Sequence, residues 1–263
     1  MLVRLFAAAL LWAALAGGAP AQAQDMLKNI DLMSPGMAQA EMTRTEAAAL
    51  LAAGRPADFS GRRLNGLDLT GLDFSGANLR AARLNRAKLA GVTFDGAILD
   101  QVWALEADFT GASFKGASLF AAQLQKSHFA GAVFTGARVA GDFTGADLTG
   151  ATFTGADLSA DMKNQSMGLM RAVLRSAKLA GADFTGANLA RADLEFAGLR
   201  GANFSGANLK GATLGGADFT GTEVGGADFT GADVNATRLV DLQGLDKALG
   251  IDKAENLARA VRQ

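Results

Sequence analysis

The stretch Gly181-Ala-Asp-Phe-Thr-Gly-Ala-Asn-Leu-Ala190 contains two copies of one five-residue unit, and most of the chain is built from that unit. The unit reads Ala, then Asp, Asn or Thr, then Leu or Phe, then a small polar residue, then Gly. Its large apolar residue, which we term the centre, recurs every five residues from Phe59 to Leu239, apart from one deletion and one insertion. A period of five fits neither an α-helix nor a β-strand, so it indicates a repeat architecture.

Two positions of each unit are restricted in size. Of the 36 centres that can be assigned, 35 are Leu, Phe or Val, and the exception is Ala104. Ala occupies 26 of the 36 positions that lie two residues before a centre. One large and one very small position therefore face the core, and the other three positions, which are mostly polar or Gly, face water.

The spacing of Phe predicts how many units make one turn of the solenoid. Phe centres recur at intervals of 20 residues from Phe74 to Phe134, and Phe153 follows after 19. An interval of 20 residues means four units per coil, with Phe rings stacked about 4.8 Å apart, the spacing between neighbouring strands. The predicted structural core includes Phe74, Phe94, Phe114, Phe134, Phe153, Phe184 and Phe204.

The units match a known signature. Ala-Asp-Phe-Thr-Gly occurs at 107–111, 182–186, 217–221 and 227–231, and Ala-Asn-Leu at 77–79, 187–189 and 207–209. The array, residues 57–240, resembles the pentapeptide repeat family, whose signature is A(D/N)Lxx. The resemblance implies an all-β solenoid, a right-handed quadrilateral β-helix with its centres packed inside. With one repeat allowed between Leu158 and Leu169, the array holds 37 repeats, or about nine coils.

Residues 24–56 are interpreted as an N-terminal arm and a capping helix. Residues 24–42 are predicted to be an irregular or partly disordered arm. Thr43-Arg-Thr-Glu46 reads as a capping box, and strong helix formers up to Ala53 predict a helix over about 44–53. Because the first coil of a solenoid has no neighbour, we expect Leu50 and Leu51 of this helix to cover its open end.

Residues 241–263 lack the five-residue unit and are predicted to form a C-terminal helical cap. Leu242, Leu245 and Leu249 suggest one short helix, and a capping-box-like start at Asp252 suggests a second. The same segment is alternatively a dimer surface, since some cytoplasmic pentapeptide proteins dimerise through their C-termini. We expect a monomer, with the C-terminal dimer as the alternative.

Residues 1–23 read as a signal peptide. Arg4 precedes an apolar run from Leu5 to Ala16, and Ala21-Gln-Ala23 fits a cleavage site, which predicts cleavage after Ala23. An uncleaved anchor is the alternative, but the run is short for a spanning helix. The chain has no Cys, hence no disulfide and no lipid-attachment site. We expect a periplasmic or secreted protein without stable membrane insertion.

The sequence offers little for catalysis. His128 is the only His, it precedes the centre Phe129 at an outward position, and no Cys is present. We therefore expect no catalytic residues, no cofactor and no metal site. The acids that precede centres, such as Asp68, Asp73, Asp108 and Asp147, are interpreted as solvated or turn-bonding residues. An enzyme is not expected.

The charge pattern bears on partners. The family includes cytoplasmic quinolone-resistance proteins that resemble DNA and bind DNA gyrase. Here residues 141–161 carry four acidic and no basic residues, whereas 162–200 carry three acidic and six basic ones, so the field is mixed. With the predicted export, this argues against a DNA mimic and against nucleic-acid binding. The sequence favours a non-enzymatic structural or protein-interaction module of the cell envelope, with an accessory to an envelope enzyme as another alternative.

Specificity is expected where the repeat breaks its own rule. The breaks are the weak centre Ala104 beside Trp103, the one-residue deletion before Phe143, and the insertion 159–168. Counted in fours from Phe59, all three fall on the second side of the coil. They are either independent accidents or one partner-binding strip, for which the candidate residues are Val102, Trp103, Leu105, Phe143, Met162 and Met167.

Charges of opposite sign lie near the two ends of the array. The basic cluster comprises Arg80, Arg83, Arg86 and Lys88, and the acidic ring comprises Asp218, Glu223, Asp228 and Asp233. These are either solvated faces or surfaces for head-to-tail contact.

Overall fold

The computed structural model describes residues 34–54, 56–163 and 170–262. The predicted signal peptide and residues 24–33 of the arm lie outside this part of the chain. It contains two α-helices, α1 (Pro35–Ala38) and α2 (Arg44–Ala52), and three 3-10 helices, η1 (Leu245–Lys247), η2 (Ile251–Lys253) and η3 (Leu257–Arg259). None of the helices in the described ranges is both long and apolar enough to cross a membrane.

Between α2 and η1 the chain winds into a four-sided parallel solenoid. The residue before each centre forms a parallel bridge with its equivalent in the next coil, usually 20 residues later, as Asp73 does with Thr93. The bridges form four columns, one per side. The second face carries Arg63, Arg83, Trp103, Gln123, Asp142, Val173, Asp193, Thr213 and Asp233. The fourth face carries Asp73, Thr93, Ser113, Val133, Thr152, Asp183, Asn203, Glu223 and Gln243.

Backbone hydrogen bonds join each coil to both of its neighbours. Phe94 N–H donates to Ser113 O at 2.6 Å, and Ser113 N–H donates to Val92 O at 3.0 Å. A further bond closes each corner, for example from Ala97 N–H to Phe94 O at 2.9 Å. Since interior coils satisfy one another, only the two ends of the solenoid require other partners.

The centres and the small residues two positions before them form one continuous buried column. Beneath the fourth face the Phe rings are nearly parallel: the Phe114 and Phe134 centroids are 4.8 Å apart with an interplanar angle of 5°. All seven predicted core Phe residues lie in this stack, which runs from Phe74 to Phe204. The rings occupy the offset-stacked geometry that favours aromatic pairs.

Helix α2 closes the N-terminal end. Thr43 N–H donates to Glu46 Oε2 at 2.7 Å and Glu46 N–H donates to Thr43 Oγ1 at 3.3 Å, so the predicted capping box is confirmed. These bonds to Thr43 lower the pKa of Glu46. Ala47 is buried and Leu51 packs against the core, whereas Leu50, which we expected to cover the end, is 36% exposed.

The C-terminal segment differs from its prediction. Instead of two helices it forms one more coil, built from six-residue units whose bridging residues, Gln243, Leu249, Glu255 and Val261, are spaced by six. Each unit contains a single 3-10 turn, because its last residue returns to extended backbone, as Ala248 does at φ −64° and ψ 142°. Leu242, Leu245 and Leu249 are spaced by three and four residues, as on one side of a helix, which explains the error.

The two irregular steps have different effects on register. Gln123 bridges Asp142 after 19 residues, so the deletion is absorbed without loss of the ladder. A Cβ on Gly141 would lie 2.9 Å from the backbone oxygen of Ala122, so only glycine fits this tightened corner. Across the insertion, Asp157 bridges Asn188 after 31 residues, 11 more than the usual 20, and the columns on both sides of the insertion stay in register. The repeat predicted at Leu169 lies outside the described residues.

Candidate interaction face

The N-terminal arm docks against the first coils at the edge of the second face. Asn65 donates from Nδ2 to Gln39 O at 3.1 Å, and Asn85 donates from Nδ2 to Met37 O at 3.1 Å. Met37 is itself buried. The arm was predicted to be irregular or partly disordered; its described part is instead held by side chains of the solenoid.

Charged residues complete this attachment. Arg83 donates to Gly36 O at 2.6 Å, and Glu41 lies 3.3 Å from Arg62 and 3.5 Å from Arg63. Several arginines near the start of the array are therefore used inside the molecule, since the arm supplies their acceptors.

Trp103 lies partly exposed on the second face, but its neighbours point inward. Val102 is fully buried and Leu105 nearly so. Beside them Ser127 takes a small inward position: its hydroxyl donates to the backbone oxygen of Ala104, and it accepts from Ala107 N–H at 3.1 Å. The break in the repeat at Ala104 thus mainly changes how side chains pack inside the coil.

The six residues of the predicted strip do not form one surface. Phe143 is a fully buried centre, and Val102 fills one of the small inward positions, so neither can contact a partner. Met162 is 46% exposed, and Met167 lies outside the described residues. The prediction was wrong for the buried members, because a break in the pattern marks a place in the coil without saying which side chains turn outward.

The base of the insertion is held by a charged cluster on the second face. Asp193, whose side chain is only 4% exposed, accepts from Arg175 at 2.8 Å and lies 3.5 Å from Arg171. Arg175 also contacts Glu195 at 2.8 Å. The hydrogen bond to Asp193, together with the charges of both carboxylates, raises the pKa of Arg175. Before the insertion, Ala160 N–H still donates to Ala190 O at 3.0 Å, as in the regular ladder.

The acids of the repeat serve the turns. Asp147 accepts from Thr149 N–H at 3.1 Å and from Thr149 Oγ1 at 2.7 Å, which confirms the turn-bonding interpretation. At Asp218 burial alone would raise the pKa, but bonds from Arg200 and Thr220 outweigh it and lower the pKa to about 2. Asp68, Asp73 and Asp108 make the same contact with the residue two positions ahead.

His128 and the opposed charges form no reactive arrangement. His128 is exposed, whereas the neighbouring Ser127 is buried and bonded to backbone. Within the described residues, no group of three or more His, Asp and Glu side chains is placed to hold a metal ion. Members of both end clusters are paired internally, as in Arg86–Glu106 at 3.0 Å and Arg200–Asp218 at 2.7 Å.

The corners of the coil distinguish the second face from the fourth. Corner residues, two positions after a centre, have left-handed backbone with φ near +60°, except Gly141 at the deletion and Ala160 at the insertion. All 16 such corners that flank the fourth face between 71 and 226 are Gly. Of the 16 that flank the second face between 61 and 236, ten are not Gly: Ala81, Arg86, Gln101, Glu106, Ala121, Lys126, Ser176, Arg191, Phe196 and Ala236.

Sequence reasoning missed Phe196, which is 64% exposed at one of these corners. The signal that could have found it is a bulky residue at a position where the unit otherwise ends in Gly. Left-handed backbone costs a residue with a side chain about 1–2 kcal/mol. A bulky residue in this conformation therefore marks a position where the side chain has a role that offsets the backbone strain.

Two family models described as pentapeptide repeats match the chain, one at 141–160, 169–206 and 198–235 and the other at 74–118. Together they cover half of the chain. No curated protein matches it in sequence.

Solved structures with the same repeats are similar to the chain. HetL from the cyanobacterium Nostoc, a pentapeptide repeat protein involved in heterocyst differentiation regulation, is 26% identical, with 81% of this chain and 94% of that chain covered and a TM-score of 0.51. QnrB1, a plasmid-mediated fluoroquinolone resistance protein, is 17% identical, with coverages of 78% and 84% and a TM-score of 0.44. A protein of the Arabidopsis thaliana thylakoid lumen is 26% identical, with coverages of 66% and 69% and a TM-score of 0.18.

Proposed function

The chain belongs to the pentapeptide-repeat family, and on that premise we propose that it is a non-enzymatic protein-interaction module of the bacterial periplasm or cell envelope. The family fold is a right-handed β-helix. We infer a rod of about nine coils, closed by α2 at one end and by the six-residue coil at the other. The second face is its proposed partner-binding side.

One observation carries the proposal: the differentiation of the second face from the fourth. A scaffold with no binding role has no reason to prefer strained side chains at the corners of one face and glycine at the corners of the opposite one. The arm docks at the edge of the second face, and the described residues that flank the insertion, such as Arg175, also lie on this face or at its edges. Interaction surfaces on solenoids are built in this way, by variation on one side of a constant core.

The use of the polar groups supports a non-enzymatic role. Repeat carboxylates such as Asp147 accept bonds from their own turns. Ser127 is committed to backbone partners, and His128 stands apart from it at the surface. A nucleophile or general base needs a partner oriented towards it, and these side chains lack that arrangement.

The proposed location is tested by fractionation and N-terminal sequencing of the purified protein. We expect periplasmic recovery and a mature chain that begins at Gln24, because Ala21-Gln-Ala23 fits a cleavage site. Recovery with the cytoplasm and Met1 at the N-terminus would contradict export and restore the topoisomerase-binding alternative.

The binding proposal is tested by photo-crosslinking in intact cells. A photoreactive amino acid replaces Trp103 on the second face or, as the matched control, Thr93 on the fourth; both positions are outward and partly exposed. We expect protein adducts from position 103 and not from position 93. Equal labelling from both faces would contradict a partner-binding second face, and the adduct would also distinguish an envelope enzyme from a structural partner.

We further propose that the protein is a monomer, with a C-terminal dimer as the alternative. That alternative is kept because the last coil exposes Leu245 and Leu249. Light scattering of the full chain and of a 1–241 form distinguishes the two, since only a C-terminal dimer loses mass beyond the deleted residues.

A further inference from the structure

Among the Phe and Trp residues that the structure describes, Phe196 is the one that is more exposed than buried, at 64%. It also has φ +58°, a conformation that a bulky side chain rarely adopts. The site therefore carries two costs, backbone strain and an apolar ring in water. Neither cost is needed by the solenoid, because the equivalent corner one coil further on is Gly216.

The Phe196 ring nevertheless packs in a defined position on the neighbouring coil. A Cβ on Gly216 would lie 2.6 Å from Cδ1 of Phe196, so the ring packs directly over the glycine backbone. On the opposite edge of the face, Arg191 does the same over Gly211, where a Cβ would lie 3.5 Å from its Cγ. Two strained side chains on one coil thus lean towards a neighbouring coil that has glycine at both corners.

The surface between these two residues presents positive charge. Asp193 lies between them in the sequence and on the face, but its side chain is 4% exposed beneath Arg171 and Arg175, which are 34% and 42% exposed. Arg191 is exposed and has no ion pair within 4.0 Å among the described residues. A partner would therefore meet guanidinium groups before it met the carboxylate.

We propose that Phe196 and Arg191 form the centre of a binding site for an acidic segment of a partner protein that carries an apolar side chain. The inference rests on the proposed interaction function and names the partner class. The apolar side chain would lie on the open side of the Phe196 ring, and carboxylates would pair with Arg191 and the outer edges of Arg171 and Arg175. An exposed aromatic flanked by Arg is the composition typical of binding hot spots.

The charge arrangement favours a protein over a membrane surface. Recognition of anionic lipid relies on clusters of about 4–8 basic residues with nothing to offset them. Here Asp193 and Glu195 already engage Arg175. In addition, the Phe196 ring lies against Gly216, whereas insertion into lipid requires a side chain that projects from the surface.

The test places p-benzoylphenylalanine at position 196 of the full chain in intact cells, with position 236 as the matched control. Ala236 lies at the same edge of the second face and has φ +57°, so it shares the strain without the proposed contacts. We expect adducts from 196 that map to a peptide with more acidic than basic residues and at least one apolar residue. That peptide is then synthesised and its affinity measured.

We expect the synthetic peptide to bind at least about tenfold more weakly to F196G and to R191E than to the unmodified chain or to A236G. F196G restores glycine to a left-handed corner, so it should fold with an unchanged or higher thermal midpoint. Unaltered affinity, a basic mapped peptide, or a large fall in the midpoint of F196G would overturn the inference.

Other adducts from position 196 would also overturn it: a phospholipid would assign the site to a membrane, and the chain itself would assign it to a second copy. The crosslinking experiment at Trp103 distinguishes failure of this site from failure of the proposed interaction function. Protein adducts from 103 but not from 196 would leave the interaction function standing and remove this site. Their absence from both positions would remove both.

Discussion

The second and fourth faces share one backbone and one core, yet they differ in what surrounds that core. Beneath the fourth face lies a run of Phe rings from Phe74 to Phe204, and every corner beside it between residues 71 and 226 is Gly. Beside the second face lie the docked arm, the deletion, the insertion and the strained corners. The comparison teaches that the repeat concentrates regular packing on one side and tolerates variation on the opposite side. Solenoids permit this because each coil depends only on its two neighbours.

The largest expected effect concerns the Phe stack. Phe114→Ala removes a ring whose centroid lies 5.0 Å from that of Phe94 and 4.8 Å from that of Phe134, and should cost about 3–5 kcal/mol of unfolding free energy. Leu124→Ala, at a buried centre beneath the second face, removes a smaller side chain without ring partners and should cost less. Urea unfolding followed by circular dichroism measures both. A larger loss at Leu124 would contradict the assignment of regular packing to the fourth face.

Substitutions at the corners should change the stability by an intermediate amount and also test the difference between the two faces. Gly116, beside the fourth face, has φ +63°, and a Cβ there would meet no atom within 4 Å, so Gly116→Ala should destabilise by about 1 kcal/mol through backbone strain alone. Ala121→Gly, beside the second face at φ +56°, should stabilise by a similar or smaller amount. Thermal midpoints of the two variants should therefore move in opposite directions. Movement in the same direction would show that the corners are not equivalent in conformation.

The smallest expected effect concerns the turn carboxylates and their influence on stability at low pH. We expect this effect to be similar on all faces, because turns on every face are bonded to carboxylates. The folded pKa of Asp218 is lowered to about 2, so its contribution to stability is present above the unfolded pKa of about 3.9 and is lost as the pH falls through about 2. Asp218→Asn should flatten the acid side of the stability profile between those values. Thermal midpoints measured against pH, with Asp241→Asn as an exposed control, provide the check.

The fold was largely readable from the sequence, and its errors were local. The interval between Phe rings predicted four units per coil, because a buried column imposes the same demand on every turn. The terminal coil was misread as helical because its six-residue unit places apolar residues three and four apart. The arm was predicted to be irregular because no pattern in residues 34–42 indicates a docking partner. The bonds that hold it come from Asn65 and Asn85 of the solenoid.

The candidate site was harder to predict from the sequence than the fold. Breaks in the pattern directed attention to Val102 and Phe143, which the structure buries, and away from Phe196, which it exposes. Local sequence does not report which corner of the coil a residue occupies once a deletion and an insertion have shifted the register. A positive φ in a residue other than Gly can be inferred only from the position of that residue in the repeat, because the conformation is imposed by hydrogen bonds to other coils.

The sequence by itself determined the repeat, the buried column, the number of units per coil and the cap at Thr43. These depend on side-chain size and local hydrogen bonding, which a chain displays over a few residues. Only the tertiary structure decided that Phe196 lies over Gly216, that Arg175 and Arg171 share Asp193, and that the arm docks on the second face. The physical reason is that these contacts join residues from different coils or from outside the array, which come together only when successive coils stack in register.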